Sequence, residues 1–459
     1  MQNIPMNELL KNLYNNEDNT PVNLVVTDSR LVQPGCIFVA VKGENIDGHI
    51  FVKDALAAGA ALAIVSTLQE DAPAEKQVVV PNTLSAHIFM AGNYRARYNP
   101  TLVGITGSVG KTTTKEFTYA VLSAFGKTLK NEGNRNNEIG LPETLFKLDE
   151  SYEYAITEMG MSGLGEIYRL SMAARPHIAL ITNIGISHME VLGTQENILK
   201  AKMEICEGLP HGSTLVLNGD DPLLATVPMP EGIEKIFYGI ERPASVRATA
   251  IETVGTGTRF TICDERYGNY IAEIPTIGKH NVYDALGAYT LGTCLGLPPR
   301  EVAHALARYE PAGQRQKIVN HAGVTCIEDC YNAAPASVQA ALSAMGEMQA
   351  TGRRIAVLGD MMELGCESAI LHEGVGAFAK EAGVDILFTC GELSENTAKG
   401  GRAAGIADVR HFESKEELAA ALVQEARAGD IILFKASNSR RFEDLVEAYY
   451  NGTGNKIDM

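Results

Sequence analysis

The sequence predicts an α/β fold in three parts, on three observations. The chain has 459 residues, and a single hydrophobic core stops growing at roughly 250–300 residues, so about three domains are expected. Short apolar runs recur without polar alternation, the pattern of strands in a parallel sheet covered on both faces. Helix-compatible stretches separate those runs and give a βα rhythm. The parts are a small N-terminal α/β domain over residues 1–98, a central domain with a mostly parallel sheet over 99–311, and a doubly wound α/β domain over 312–459.

In the first part, residues 36–41 and 61–65 read as strands, with the end of a helix at 55–60 between them. Pro81 and Asn99-Pro100 mark breaks. The central part opens with a strand at 101–106, followed by a helix from 113 to about 125. Further strands are expected at 154–157, 177–182 and 214–217. Residues 234–274 read as short antiparallel strands, and 281–295 as a helix. In the third part, strands at 354–358, 386–389 and 431–434 alternate with helical stretches, which is a Rossmann-like arrangement. The polar residues 451–459 read as a frayed tail.

Composition excludes several classes of protein. Lys and Arg number 39 against 56 Asp and Glu, a formal charge of −17. A uniformly basic nucleic-acid surface is therefore excluded, and no nucleic-acid partner is expected. The eight cysteines are scattered, with no Cys-x-x-Cys pair. Cys326 and Cys330 lack a second pair of ligands at metal-site spacing, and reduced, mostly buried thiols are expected. The first residues lack a basic start followed by an apolar core, so no signal peptide is expected. No run reaches the ~18 apolar residues of a membrane span. A cytoplasmic, monomeric enzyme is the expectation.

The chemistry is concentrated in Gly107-Ser108-Val109-Gly110-Lys111-Thr112-Thr113, between the 101–106 strand and a helix. Backbone N–H groups of such a glycine turn can converge on one phosphate, and the helix N-terminus adds partial positive charge. Lys111 would reach the outer phosphates of ATP, and Thr112 would offer a hydroxyl to Mg²⁺. The longer G-x-x-x-x-G-K-[ST] pattern is not met, because Ile105 stands where it needs glycine. The strand before the loop and the helix after it supply the required context. That context makes the central domain a P-loop ATPase type. From the loop alone, a small-molecule kinase fits as well. Asn455-Lys456-Ile457-Asp458 matches a guanine-reading pattern but lies in the polar tail, and we read it as coincidence.

The flanking motifs narrow the reading. They are Thr106–Lys115, then Gly133-Asn134-Arg135-Asn136-Asn137-Glu138-Ile139-Gly140-Leu141-Pro142, Glu158-Met159-Gly160, Thr182-Asn183-Ile184-Gly185 and Ser187-His188-Met189-Glu190. Gly278-Lys279-His280-Asn281, Asp329-Cys330-Tyr331-Asn332-Ala333 and Leu358-Gly359-Asp360-Met361 follow. This set, in this order, resembles the Mur ligases of peptidoglycan synthesis over nearly the whole chain. Near the N-terminus, Thr27-Asp28-Ser29-Arg30 and Asp47-Gly48-His49 are similar to the UDP-sugar-binding domain of that family.

The resemblance implies an amide ligase that activates a carboxylate with ATP as an acyl phosphate, which an amine then attacks. It implies UDP-N-acetylmuramoyl-tripeptide and D-alanyl-D-alanine as the molecules joined. Lys111, Glu158, His188 and Lys202 are the implied catalytic residues. Thr112, Glu158, His188 and a carbamylated Lys202 are the implied Mg²⁺ ligands, with Lys200 two residues away as a decoy. Asn281 resembles an adenine contact, beside His280, which fits a helix cap equally well. Asp329 resembles a ribose contact, and Arg315 a phosphate-facing arginine. Ser29, Arg30, Asn134 and Asn332 are implied to touch the substrates, although Asp-Ser sequences also favour ordinary turns. Two departures stand out. Asn332-Ala333-Ala334-Pro335 replaces the family's frequent Asn-Ala-Asn-Pro, and Lys435-Ala436-Ser437-Asn438-Ser439 replaces Lys-Gly-Ser-Arg-Ser. Arg440 or Arg441 would have to replace the missing arginine.

Overall fold

Thr101–Thr106 forms a strand buried along nearly its whole length. Leu102 faces one core, while Val103 and Ile105 face another, so both sides of the strand are covered. Such a strand needs a neighbour on each edge. Tyr154–Glu158 lies parallel on one side and Ile178–Ile181 parallel on the other. This computed structural model describes residues 1–14, 17–43 and 45–454.

These strands centre a nine-stranded sheet. Thr128–Lys130 forms one edge, beside Tyr154–Glu158. Beyond Ile178–Ile181 come Ser213–Asn218, Ile233–Gly239, Val246–Val254, Gly257–Asp264 and Gly268–Ile274. The reading of 234–274 as antiparallel needs correction at its start. Ile233–Gly239 runs parallel to Ser213–Asn218 and briefly parallel to Val246–Val254; only the last three strands form an antiparallel meander. Strand direction depends on how residues 219–232 return across the sheet, and the composition of the strand does not carry that.

Helices cover both faces. Lys111–Leu122 and Lys279–Cys294 share a core with Val103, Ile105 and Leu180. Thr83–Arg95, Gly140–Leu145 and Glu166–Ala174 pack with Leu102, Ala155 and Ile181 on the other face. The chain crosses from Thr101–Thr106 to strands on one side, then returns to Ile178–Ile181 on the other. The order of strands therefore reverses at Thr101–Thr106. In open α/β sheets, ligands bind at the carboxyl ends of strands at such a reversal. The glycine loop starts there.

The N-terminal sheet has four parallel strands in chain order: Val25–Val26, Ile37–Val39, Leu62–Val65 and Gln77–Val79. One of its faces joins the core of the central sheet through helix Thr83–Arg95, where the Tyr94 hydroxyl donates to the Leu148 carbonyl across 2.9 Å. The third sheet has six strands in the order Lys317–His321, Val324–Glu328, Ile431–Lys435, Arg354–Gly359, Ile386–Cys390 and Asp408–Phe412. All its pairs are parallel except the first. The polar character of Lys317–His321 and Asp408–Phe412 hid these edge strands from the sequence reading.

The tail also differs from expectation. Helix Phe442–Gly454 runs through residues read as frayed, anchored by a 2.6 Å hydrogen bond between Thr453 Oγ1 and His321 Nε2. The Asn455–Asp458 tetrad lies outside the described residues. Among the described residues, no helix is long and apolar enough to cross a membrane.

Candidate active site

The loop after Thr106 has a shape only glycine permits. Gly107 has φ +149°, and a Cβ there would fall 1.8 Å from Thr182 Oγ1. Gly110 has φ +86° at the start of helix Lys111–Leu122, and a Cβ would come 2.5 Å from Asp284 Oδ1. The strand end at 182–185 grips the loop from one side. Ser108 N–H donates to the Asn183 carbonyl at 3.0 Å, and Val109 N–H to Asn183 Oδ1 at 3.0 Å. Gly185 N–H donates to Ser108 Oγ at 2.8 Å. The N–H groups opening the helix, from Lys111 to Thr113, are left to face an anion. Lys111 Nζ folds back to donate to the carbonyls of Gly107 and Ser108, at 2.8 and 3.2 Å. Burial lowers its pKa, with Glu158 opposing.

Glu158 grips the loop from the other side. Its strand places it level with Ile105, at the carboxyl end of the sheet. Thr112 Oγ1 donates to Glu158 Oε2 at 2.9 Å, and Asn136 Nδ2 to Oε1 at 2.7 Å. Lys115, fully buried, sits 3.4 Å from Oε2, and its ammonium also donates to the Asn131 carbonyl. Burial works to raise the Glu158 pKa, but Lys115, Lys111, Arg315 and Asn136 together hold it below the ordinary value. The group is therefore a carboxylate at neutral pH. Hydroxyl and carboxylate oxygens are the donors Mg²⁺ prefers. Two oxygens on adjacent corners of an octahedron with bonds of about 2.0–2.1 Å stand about 2.9 Å apart. The Thr112–Glu158 pair fits that edge.

His188 and Lys202 lie beyond the loop. His188 is half-buried, with Nδ1 3.5 Å from Glu363 Oε2 of the third domain. Burial lowers its pKa, with Glu363 opposing. Lys202, on helix Gln195–Met203, is 2% exposed. Burial, then the nearby Lys111, pushes its pKa far down. Lys200, by contrast, is exposed. Among the described residues, no cluster of three His, Cys, Asp or Glu side chains could hold a metal.

A cavity of about 640 Å³ opens in front of the loop, between the central and third domains. Ser108–Thr113 and Glu158 line its base, and Asn281, Arg315, Asp329 and Asn332 line its walls. Asn281 is buried, and its amide N–H group donates to the Ile277 carbonyl at 2.6 Å and to Gln316 Oε1 at 2.5 Å. That leaves its carbonyl oxygen to accept from a ligand. His280 is held neutral, its pKa pulled down to about 4 by burial. Arg315 lies 3.7 Å over the ring of Tyr331. Asp329 is bound to Lys435 Nζ at 2.6 Å, and that ammonium also donates to the Asn332 carbonyl.

Other predicted residues stand apart from this cavity. Ser29 and Arg30 sit on an N-terminal turn capped by Asp28, and Arg30 is exposed and paired with Asp28. Asn134 is exposed; Asn136, two residues on, is the side chain that turns inward. Of the two candidate replacement arginines, Arg440 pairs with fully buried Asp360 at 2.8 Å, while Arg441 is largely exposed and pairs with Asp444. Lys115, Asn136, Asp284, Tyr331 and Lys435 were not among the predicted site residues. Lys115, Asn136, Tyr331 and Lys435 lay inside the quoted motifs. Asp284 had a weaker signal, its position three residues after Asn281 on one helix face.

Comparison with known proteins identifies the family. Residues 21–98 match the Mur ligase family catalytic domain, 105–292 the Mur ligase middle domain, and 314–438 the Mur ligase glutamate ligase domain. The chain belongs to the Mur ligase family. This Mur ligase is 36% identical to the UDP-N-acetylmuramoyl-tripeptide–D-alanyl-D-alanine ligase of Bacillus subtilis (strain 168), over 94% of this chain and 93% of that one. It is 35% identical to the Escherichia coli (strain K12) enzyme of the same name, over 94% and 95%. Among solved structures, MurF from Acinetobacter baumannii superposes with a TM-score of 0.88 at 27% identity, over 98% of this chain and 99% of that one. MurF ligase from Thermotoga maritima in complex with ADP gives 0.86 at 27% identity, over 95% and 99%.

Proposed function

We propose that this Mur ligase joins UDP-N-acetylmuramoyl-tripeptide to D-alanyl-D-alanine at the expense of ATP. One observation carries the reading. A single cavity is lined by the phosphate loop and Glu158 on one side, and by Asp329, Asn332 and Lys435 of the third domain on the other. An activated carboxylate and an incoming amine must meet in such a place.

The tripeptide carboxylate attacks the γ-phosphorus of ATP, the bond to the β–γ bridging oxygen breaks, and ADP leaves. The amine of D-alanyl-D-alanine then attacks the acyl carbon, a C–N bond forms, and inorganic phosphate departs. The first step brings two anions together, so positioned cations and in-line geometry do most of the work. Lys111 leaves its loop carbonyls to pair with the outer phosphates. Residues 107–113 cradle those phosphates by backbone N–H groups. Bound Mg²⁺, held by Thr112, Glu158, His188 and Lys202, would neutralise phosphate charge. A lysine ammonium would repel such an ion. Burial, then Lys111, lowers the Lys202 pKa and so disfavours its ammonium; as a free amine it could take up CO₂ as a carbamate and so become an oxygen donor.

Asn281 accepts from the adenine amino group through its free carbonyl, Asp329 holds the ribose, and Arg315 faces the phosphates. Ser29, Arg30 and Asn134 contact the UDP-linked substrate, and Asn332 the dipeptide side. Residues 1–98 then bind the UDP-sugar, 99–311 ATP and 312–459 the dipeptide, in a cytoplasmic monomer. Closure of the third domain over ATP would exclude water. Mass spectrometry of the products from UDP-N-acetylmuramoyl-tripeptide, D-alanyl-D-alanine and Mg-ATP tests the reading. The pentapeptide product, ADP and phosphate are expected; ligation of a diamino acid but not of D-alanyl-D-alanine would sink it.

A further inference from the structure

Asp284 is a buried acid in a place built for anions. It lies on helix Lys279–Cys294, lines the cavity with the phosphate loop, and is 6% exposed. Its Oδ1 stands where a Cβ on Gly110, the residue that opens the loop helix, would need to sit, and it accepts from Thr114 Oγ1 at 2.9 Å. Among the described residues, no hydrogen bond reaches Oδ2, and no lysine, arginine or histidine forms an ion pair with the carboxyl. An ionised carboxylate here would stand unpaired beside a polyanion. Like charges at close range in a partly dry site repel by several kcal/mol.

We propose that Asp284 is a neutral carboxylic acid whose Oδ2–H donates a hydrogen bond to a phosphate of the bound nucleotide, tying nucleotide affinity to pH. The inference rests on the reading of this cavity as the nucleotide site. Thr114 occupies Oδ1 as a donor, so the proton belongs on Oδ2, the oxygen left for the cavity. Burial raises the Asp284 pKa to about 8, against the lowering influence of Thr114 and Arg315. Among the described residues, two further titratable groups that face it are Tyr238, from the strand Ile233–Gly239, and Tyr309, near the end of the central domain. Both are phenols whose pKa values burial raises, so neither supplies a counter-charge at neutral pH. A bound phosphate pushes the carboxyl pKa up further, so nucleotide binding above about pH 8 takes up a proton.

Calorimetric titration of the full chain with Mg-ADP, from about pH 6.5 to about pH 9.5, tests this. In the wild type, the Kd should rise about tenfold per pH unit above the carboxyl pKa. Paired buffers of different ionisation heat should show proton uptake on binding at the alkaline end. Asp284→Asn keeps a donor that cannot ionise, so its Kd should stay flat and the linked proton should vanish. Asp284→Ala should bind more weakly across the range. Infrared spectra of the unliganded wild type at neutral pH should carry a protonated-carboxyl band that Asp284→Asn lacks, a readout that needs no ligand. Equal alkaline loss in wild type and Asp284→Asn, or a flat wild-type profile, overturns this inference while leaving the nucleotide site intact. A wild type that bound Mg-ADP at no pH would overturn the nucleotide reading and this inference together.

Discussion

The hydroxyl of Thr112 donates to the carboxylate of Glu158 across 2.9 Å, linking the first turn after the phosphate loop to the end of the adjacent strand. Neither residue is near the other in sequence; the parallel pairing of Thr101–Thr106, which leads into the loop, with the strand ending at Glu158 puts them together. Glu158→Gln keeps the shape and removes the charge. Turnover should fall by at least about 100-fold, and half-maximal activity should need more Mg²⁺. An unchanged Mg²⁺ requirement would show that Glu158 is not a metal ligand.

Arg315 on the Tyr331 ring is a second joint, between the first residues of the third domain and its body. A cation over an aromatic face contributes about 0.5–2 kcal/mol. Tyr331→Phe keeps that face and should retain kcat/KM for ATP. Tyr331→Ala should lose about 2- to 30-fold in kcat/KM. Steady-state kinetics of the two variants would decide it, and equal losses would remove the stacking argument.

Lys202 is buried with its ammonium form disfavoured, first by burial and then by Lys111. Such a group costs stability and persists for a reason other than packing. Lys202→Met should gain about 1–2 kcal/mol in unfolding free energy while abolishing ligation. Denaturant melts alongside product assays read both. A variant that lost activity and stability together would mean the lysine is structural.

His87 lies wholly buried on helix Thr83–Arg95, with its ring 5.7 Å from that of Phe146 across the interface between the first two domains. Burial pulls its pKa from 6.5 to about 4, against a raising contact with the Glu138 backbone. The folded state therefore holds it neutral, while the unfolded chain protonates below 6.5. Stability from this group is complete above about pH 6.5 and drains away as pH falls toward about 4, at most about 3 kcal/mol. His87→Leu should flatten that acid-side loss in thermal melts. An identical pH slope in the variant would place the acid sensitivity elsewhere.

The strands that build the site were legible because their apolar runs are continuous, as at Thr101–Thr106 and Ile178–Ile181. Edge strands such as Asp408–Phe412 were not, since one half-covered face needs little apolar content. The loop and Glu158 could be found from motifs. The inward turn of Asn136 onto Glu158, and of Arg440 rather than Arg441 onto Asp360, could not, because neighbours in sequence differ only in where the backbone aims them.

By itself the sequence settled the rhythm of strands and helices, the glycines that let the loop turn, and the family that shares them. Those are local properties, written in side-chain size and spacing. Only the folded chain settled which charges meet. Lys115 with Glu158 and Lys435 with Asp329 are pairs distant in sequence. Their energies depend on burial and on a few ångströms of separation, which exist only once the sheets have closed around them.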